Sequence, residues 1–100
     1  MSLAGEGVSI IVKFFSNFRR AAGKKQITVE SAENGGELLD KLIDEFGEKL
    51  AGQLYQPGGG KLRETVNILL NGNGVNISKG LGAALRNGDT VAIFPPVSGG

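Results

Sequence analysis

The spacing of apolar residues changes twice along this 100-residue chain. In "VSIIVKFF", residues 8–15, apolar side chains alternate from one face to the other, which is typical of a strand. In "NGGELLDKLIDEFG", residues 34–47, they recur three or four positions apart, as along one side of a helix. Alternation returns in "TVNILLNG" and "TVAIF". The sequence therefore predicts an α+β domain with one main helix packed on one face of a mixed sheet.

The alternation also predicts which strand residues face the helix. That set is Val8, Ile10, Val12, Phe14, Val66, Ile68, Leu70, Val91 and Ile93. A second run, "QITVE" at residues 26–30, follows "SNFRRAAGKK", in which Gly23 marks a turn. We expect the first two strands to form a hairpin across that turn.

Start and stop signals bound the predicted helix. Asn34 is a suitable N-cap with Glu37 at the third helical position, and Gly47 is suited to end the helix in a left-handed conformation. Leu50 and Leu54 predict a shorter turn beyond it. The stripe expected to pack on the sheet consists of Leu38, Leu39, Leu42, Ile43 and Phe46.

Composition excludes several kinds of function. Cysteine and histidine are absent, which removes thiol nucleophiles, disulfides, and thiolate or imidazole metal ligands. We expect no metal site. The net charge of +1 favours neither a nucleic acid nor an anionic membrane as partner. No apolar run is long enough to span a bilayer, so we expect a cytoplasmic protein. We also expect it to be a monomer when free.

Two glycine-rich stretches do not match phosphate-binding loops. In "GGGK", Tyr55 stands where a P-loop needs glycine, and Leu62 stands where it needs serine or threonine. "GNG" at residues 72–74 follows a strand with no helix after it, so it indicates a hairpin turn.

The chain closes on "FPPVSGG", residues 94–100. Pro95 and Pro96 fix φ near −65° and favour an extended stalk. Gly99 and Gly100 lack Cβ atoms, so their backbone suits a narrow channel. We expect a disordered lead-in at 1–7, a domain at 8–95 and a flexible reactive tail at 96–100.

The element order, "IIVKFFSNFRRAAG", "NILLNG" and above all "NGDTVAIFPPVSGG" resemble the ubiquitin-like β-grasp sulfur carriers of the MoaD and ThiS type. MoaD, the small subunit of molybdopterin synthase, is the nearest type. The stretch "YQPGGGKLRET" is longer than in ThiS and closer to MoaD-like and archaeal modifier proteins. The resemblance implies a ubiquitin-like β-grasp fold and a non-catalytic, sulfur-donating subunit of a synthase.

The resemblance also implies a reaction at the end of the chain. A ubiquitin-activating-type adenylating enzyme, MoaB-like or ThiF-like, would use ATP to convert the Gly100 carboxylate to an acyl-adenylate. Sulfur would then replace AMP, and the thiocarboxylate would serve a MoaE-like large subunit in molybdopterin synthesis. ATP is used by the partner, and no tightly bound cofactor is expected. Gly99 and Gly100 are the residues of this site.

Large apolar residues point away from the predicted helix and indicate a docking surface. Ile11, Phe15, Leu69 and Phe94 form this set, and a second possibility is that residues 48–64 fold over Ile11 or Phe15. The tail residues expected to bind partners are Pro95, Pro96, Val97 and Ser98.

Three other functions stay open from the sequence. An archaeal-type protein modifier would join Gly100 to a target lysine through an isopeptide bond. A ThiS-type carrier would supply thiamine synthesis. A β-grasp binding module would use the sheet and leave the tail inert.

Overall fold

A computed structural model describes residues 9–58, 61–71, 75–76 and 82–95. Strands and helices alternate at first and strands follow, in the order β1, α1, β2, α2, α3, β3, β4, β5. The strands are β1 Ser9–Phe14, β2 Gln26–Glu30, β3 Asn67–Leu70, β4 Val75–Asn76 and β5 Thr90–Phe94. The helices are α1 Ser16–Ala22, α2 Gly35–Phe46 and α3 Glu48–Leu54.

The five strands form one mixed sheet in the order β2-β1-β5-β3-β4. The parallel pair β1 and β5 lies at its centre, and β2, β3 and β4 are added in antiparallel fashion. The predicted pairing of the first two strands is confirmed. Because β5 is central, its last residue, Phe94, lies beside β3 on one side, and Phe15 follows β1 on the other.

The core confirms the predicted inward face. Buried side chains from the sheet and from all three helices form one cluster. From the predicted set, Ile10, Val12, Phe14, Val66, Ile68, Val91 and Ile93 are buried. Leu70 is half-buried, and Val8 lies outside the described residues.

The helix stripe also packs as predicted. Leu38, Leu39 and Leu42 are each at most 1% exposed. Ile43 and Phe46 are half-buried at the margin of the core. There the rings of Phe46 and Phe14 meet edge-on with centroids 5.5 Å apart. The apolar stripe of α2 therefore lies against the sheet.

The connection between β1 and β2 corrects the sequence interpretation. We predicted a hairpin turn, but the segment contains α1, whose Phe18 and Ala22 enter the core. Gly23 adopts a left-handed conformation, φ 75° and ψ 11°, and its N–H donates to the Arg19 carbonyl at 2.8 Å. The glycine signal thus marks the end of a helix.

The ends of α2 follow the sequence with one difference. The Asn34 side chain accepts a hydrogen bond from the Glu37 N–H at 2.9 Å, so the predicted cap is confirmed. Gly47 has φ 73° but ψ −153°, which is extended and open mainly to glycine, rather than left-handed helical. This conformation turns the chain directly into α3, which buries Leu50 and Leu54 completely.

Three buried residues of the described chain come from segments without regular structure: Ala32, Val66 and Leu85. Leu85 is 4% exposed, and its N–H donates to the Glu33 carbonyl at 2.9 Å. The predicted turn at 72–74 lies outside the described residues, although β3 and β4 pair on either side of it. Among the described residues, no helix has the length and apolar character needed to cross a membrane.

Candidate functional site

The outer face of the sheet carries apolar side chains on its central strands. Since the buried residues of α1, α2 and α3 share a core with the inward residues of the sheet, the helices lie on the inner side. On the outer side Ile11, Leu69 and Ala92 are half-buried. Leu69 lies directly opposite Ala92, so the patch is continuous across β3 and β5.

An aromatic pair extends this patch to the end of β5. The rings of Phe15 and Phe94 meet edge-on with centroids 6.2 Å apart. The Phe15 N–H donates to the Ile93 carbonyl at 3.1 Å, which joins the residue after β1 to the end of β5. Phe15 is 38% exposed, and it is the large apolar residue with the greatest exposure in the described chain. We call Ile11, Phe15, Leu69, Ala92 and Phe94 the outer patch.

Arg19 borders the outer patch, and the sequence interpretation missed it. Its guanidinium carbon lies 5.9 Å from the centre of the Phe15 ring, and its Nε donates to the Phe14 carbonyl at 3.3 Å. Helix α1 creates this contact, because residues four apart lie on one side of a helix. The spacing of Phe15 and Arg19 was visible in the sequence, but only a helix at this position makes it meaningful.

Residues 48–64 do not cover the outer patch where they are described. Leu50 and Leu54 lie in the inner core, and Tyr55 and Leu62 pack against it. The Asn17 side chain of α1 donates to Gln53 of α3 at 2.6 Å, which fixes α3 beside α1. The second possibility raised by the sequence, a cover over Ile11 or Phe15, is therefore not what the structure contains.

Pro95 lies at the point where the chain leaves the sheet. It is half-buried, and it has no N–H with which to continue the pairing that ends at Asn67 opposite Phe94. The Asn67 side-chain amide instead donates to the Pro95 carbonyl at 3.2 Å. The other predicted tail residues, Pro96, Val97, Ser98, Gly99 and Gly100, lie outside the described residues, so their roles stay predictions.

The electrostatics of the helix side differ from those of the outer patch. Burial raises the pKa of the Tyr55 hydroxyl, and the negative charge of Asp40 raises that pKa further. Both residues line a groove between α2 and α3 that Pro95 does not line. In the described ranges no group of three or more acidic side chains is placed to hold a metal ion.

The fold belongs to the ubiquitin-like β-grasp class. The solution structure of small archaeal modifier protein 1 from Methanosarcina acetivorans has a TM-score of 0.77 and 34% identity, and the match covers 94% of this chain and 98% of that one. A putative molybdopterin converting factor, subunit 1, from Pyrococcus furiosus has a TM-score of 0.69 and 31% identity, over 90% and 99%. The BexX/CysO complex of Amycolatopsis orientalis matches with a TM-score of 0.72 at 23% identity, over 91% and 99%.

Sequence comparison gives the family within this class. The model of the ThiS family matches residues 12–100. Small archaeal modifier protein 3 of Haloferax volcanii is 38% identical over 91 residues, 89% of this chain and 96% of that protein. The sulfur carrier protein CysO of Mycobacterium tuberculosis is 36% identical over 75 residues, 71% of this chain and 81% of that protein. The chain therefore belongs to the ThiS/MoaD-type family of ubiquitin-like sulfur carriers.

Proposed function

We propose that this protein is a cytoplasmic carrier whose Gly100 carboxylate is activated by a partner enzyme that docks on the outer patch. The observation that carries the proposal is the partly exposed pair of Phe15 and Phe94, placed immediately before Pro95. A partner bound to this pair would lie at the point where the chain leaves the sheet. Docking and reaction would then occur on the same side of the molecule.

The reaction needs an activated carboxylate. A carboxylate resists attack by a nucleophile until one oxygen becomes part of a good leaving group. Adenylation by the partner does this: the carboxylate attacks the α-phosphate of ATP, pyrophosphate leaves, and an acyl-adenylate forms. Hydrosulfide then attacks the carbonyl carbon and AMP leaves. The products are a thiocarboxylate on Gly100, AMP and a proton.

The end of the sequence suits such a reaction. Gly99 and Gly100 carry no side chains, so a close approach to a nucleotide meets no Cβ atom. Pro95 and Pro96 restrict the backbone and lower the ordering cost of binding. Val97 and Ser98 lie between the two pairs and would line the partner's channel.

The outer patch also indicates the kind of partner surface. Aromatic and aliphatic residues at the centre of an interface supply most of its binding free energy. Arg19 and the exposed Lys13 add positive charge at the margin of the patch. We therefore expect the adenylating enzyme, which is ThiF-like, to present an apolar surface with acidic residues at its edge. A MoaE-like synthase subunit would use the same patch at a later step.

Two acceptors follow from the same activated group. The tail "FPPVSGG" and the similarity to the Pyrococcus furiosus protein favour sulfur donation to molybdopterin synthesis, the first candidate. The similarity to two small archaeal modifier proteins favours conjugation of Gly100 to protein lysines, the second candidate. Sulfur transfer regenerates the carboxylate, whereas conjugation forms an isopeptide bond. The two functions differ only after activation.

One experiment separates these acceptors. One portion of the full-length chain is thiocarboxylated and incubated with a MoaE-like subunit and the cyclic pyranopterin precursor. A second portion, with its free carboxylate, is incubated with the adenylating enzyme, ATP and lysine-containing proteins. Return of the chain to its original mass together with dithiolene formation supports sulfur donation. Conjugates linked through Gly100, identified by peptide mass spectrometry, support the modifier function. A chain that reacts in neither mixture would contradict both functions.

A further inference from the structure

The groove between β2 and α2 has no role in the proposed function. Its volume is about 700 Å³, and it is lined by the whole of β2 and by one side of α2. Strand β2 is the outermost strand on its side of the sheet, two strands away from β5 and Pro95. The groove shares no residue with the outer patch, although Ile11 of the patch lies opposite Thr28 on the neighbouring strand.

The register of β1 and β2 determines which backbone groups of β2 face the groove. The Phe14 N–H donates to the Lys25 carbonyl at 2.8 Å, so hydrogen-bonded pairs fall at every second position from there. Ile27 and Val29 consequently direct their backbone groups to β1. The three residues that direct backbone N–H and C=O groups away from β1 are Gln26, Thr28 and Glu30. No strand of the described chain pairs with this edge.

Side chains next to this edge have a distinct chemistry. Ile27 is half-buried and Val29 is 7% exposed, and both line the groove at alternate positions. Asp44 and Glu45, both exposed on α2, also line it. With Glu30 they supply three carboxylates, against two ammonium groups from Lys24 and Lys41. The groove thus combines unpaired backbone groups, an apolar floor and a negative net charge.

We propose that this groove binds an extended, basic peptide segment of a second protein, which adds a strand to β2. Backbone hydrogen bonds to Gln26, Thr28 and Glu30 would supply the alignment, as in other cases of strand addition. Apolar side chains at alternate positions of the peptide would contact Ile27 and Val29. A lysine or arginine two positions further along, on the same face of the peptide strand, would pair with the carboxylates of α2.

A second copy of this chain fits the groove less well than such a peptide. Two β2 edges paired in antiparallel fashion would bring two copies of the same α2 wall together. Each wall has more carboxylates than ammonium groups, so the contact would join like charges. A basic strand removes that repulsion. Because the groove does not include Pro95, a peptide there and an enzyme on the outer patch would bind at the same time.

Amide exchange of the full-length chain tests the mode of binding. The probe is a synthetic peptide of the pattern Lys-Thr-Ile-Thr-Val-Thr-Lys with blocked ends, in which both lysines share a face of the strand with isoleucine and valine, and the matched peptide replaces both lysines by glutamates. We expect the basic peptide to slow exchange of the Gln26, Thr28 and Glu30 amides, while Ile27 and Val29 change little because they already pair with β1. Protection without this alternation would overturn strand addition.

Two variants test the contacts by fluorescence anisotropy. Thr28→Pro removes an outward N–H without removing a β1–β2 hydrogen bond, as edge strands allow. We expect its affinity for the basic peptide to fall about tenfold, the equivalent of one good hydrogen bond. The double change Asp44→Lys with Glu45→Lys should reverse the preference to the acidic peptide. Glu48→Lys, an exposed acid outside the groove, is the matched control and should leave the preference unchanged.

Several results would overturn the binding of a basic peptide to this groove. If circular dichroism shows that Thr28→Pro is unfolded, the charge-reversal pair still carries the test. Equal affinities of the unaltered chain for the basic and acidic peptides would overturn the proposal. Protection of the Thr28 amide without peptide, together with a dimer in sedimentation, would also overturn it, because a second copy would then occupy the groove. None of these results depends on the reaction at Gly100.

Discussion

Both faces of the sheet carry apolar residues at alternate positions, but the two faces differ in burial. On the inner face Ile10, Val12 and Phe14 are fully buried by the helices. On the outer face Ile11, Leu69 and Phe94, from β1, β3 and β5, remain half-exposed. Folding of a sheet requires one apolar face, and the second commonly faces water. Apolar residues kept on the second face therefore indicate association with another protein.

Truncation of one leucine on each side of the sheet gives the largest expected difference. Leu42→Ala should lower the free energy of unfolding by about 2–5 kcal/mol, because Leu42 is completely buried between α2 and the sheet. Leu69→Ala should lower the free energy of unfolding by about 1 kcal/mol or less, because the Leu69 side chain is only half-buried in the folded state. Urea unfolding of both variants measures the difference. Equal losses would mean that the two faces do not differ as described.

Charge introduced on the outer patch should reduce partner binding and leave folding intact. The double variant Leu69→Asp with Phe94→Asp should reduce affinity for the adenylating enzyme by about 2 kcal/mol or more, or roughly thirtyfold, while the domain remains folded. Titration calorimetry measures binding, and circular dichroism checks the fold. Gln26→Asp, on the same face at the far edge, is the control. Unchanged binding by the double variant would remove the patch from the interface.

Comparison of variants at Arg19 and Arg20 distinguishes the contact with Phe15 from a general effect of positive charge. Arg19→Gln removes the cation over the Phe15 ring and should weaken enzyme binding by about 0.5–1 kcal/mol, with less dependence on salt. The exposed neighbour Arg20 carries the same charge on α1. We expect Arg20→Gln to have a smaller effect. If both variants lose the same affinity and salt dependence, the contact with Phe15 contributes nothing of its own.

The smallest expected effect concerns Tyr55 on the helix side. Since it is the one tyrosine in the sequence, alkaline titration by ultraviolet absorbance reports on it alone. Its pKa should lie above the ordinary value of 10.0, and Asp40→Asn should lower the pKa only in part, because burial is the larger cause. The control Glu48→Gln lines the same groove and should leave the titration unchanged.

The same shift predicts how stability depends on pH. A pKa that is higher in the folded state means that the folded chain holds this proton more tightly. The contribution to stability is fully present below pH 10.0 and is lost as pH rises through the folded pKa. Titration of Tyr55 at or below pH 10.0 would contradict this account of its surroundings.

Strong periodicity was sufficient to predict the sheet faces, α2 and its Asn34 cap. Helix α1 was not predictable in the same way, because seven residues give too few repeats and Gly23 is equally typical of a hairpin turn. Because the contact of Arg19 with Phe15 depends on α1, it was not predicted either. Leu85 was missed for another reason: it belongs to no periodic segment and is buried through backbone pairing with Glu33.

The site was predictable where side-chain alternation determines exposure, as at Leu69 and Phe94. The aromatic pair was not, because it depends on the parallel pairing of β1 with β5, which are distant in the sequence. The hydrogen bond from Asn67 to Pro95 depends on the register of β3 and β5 in the same way. Local sequence determines the face of a residue, and topology determines its neighbours.

The central claim is that the carboxylate of Gly100 is the reacting group. Its most direct test is the intact mass of the full-length chain and of a chain lacking Gly100, each incubated with the adenylating enzyme, ATP and sulfide. The full-length chain should gain the mass of an oxygen-to-sulfur exchange. The shortened chain should fold as well but remain unchanged, since its carboxylate is displaced by one residue and reaction geometry tolerates such displacement poorly. Equal sulfur loading of the two chains would contradict the claim.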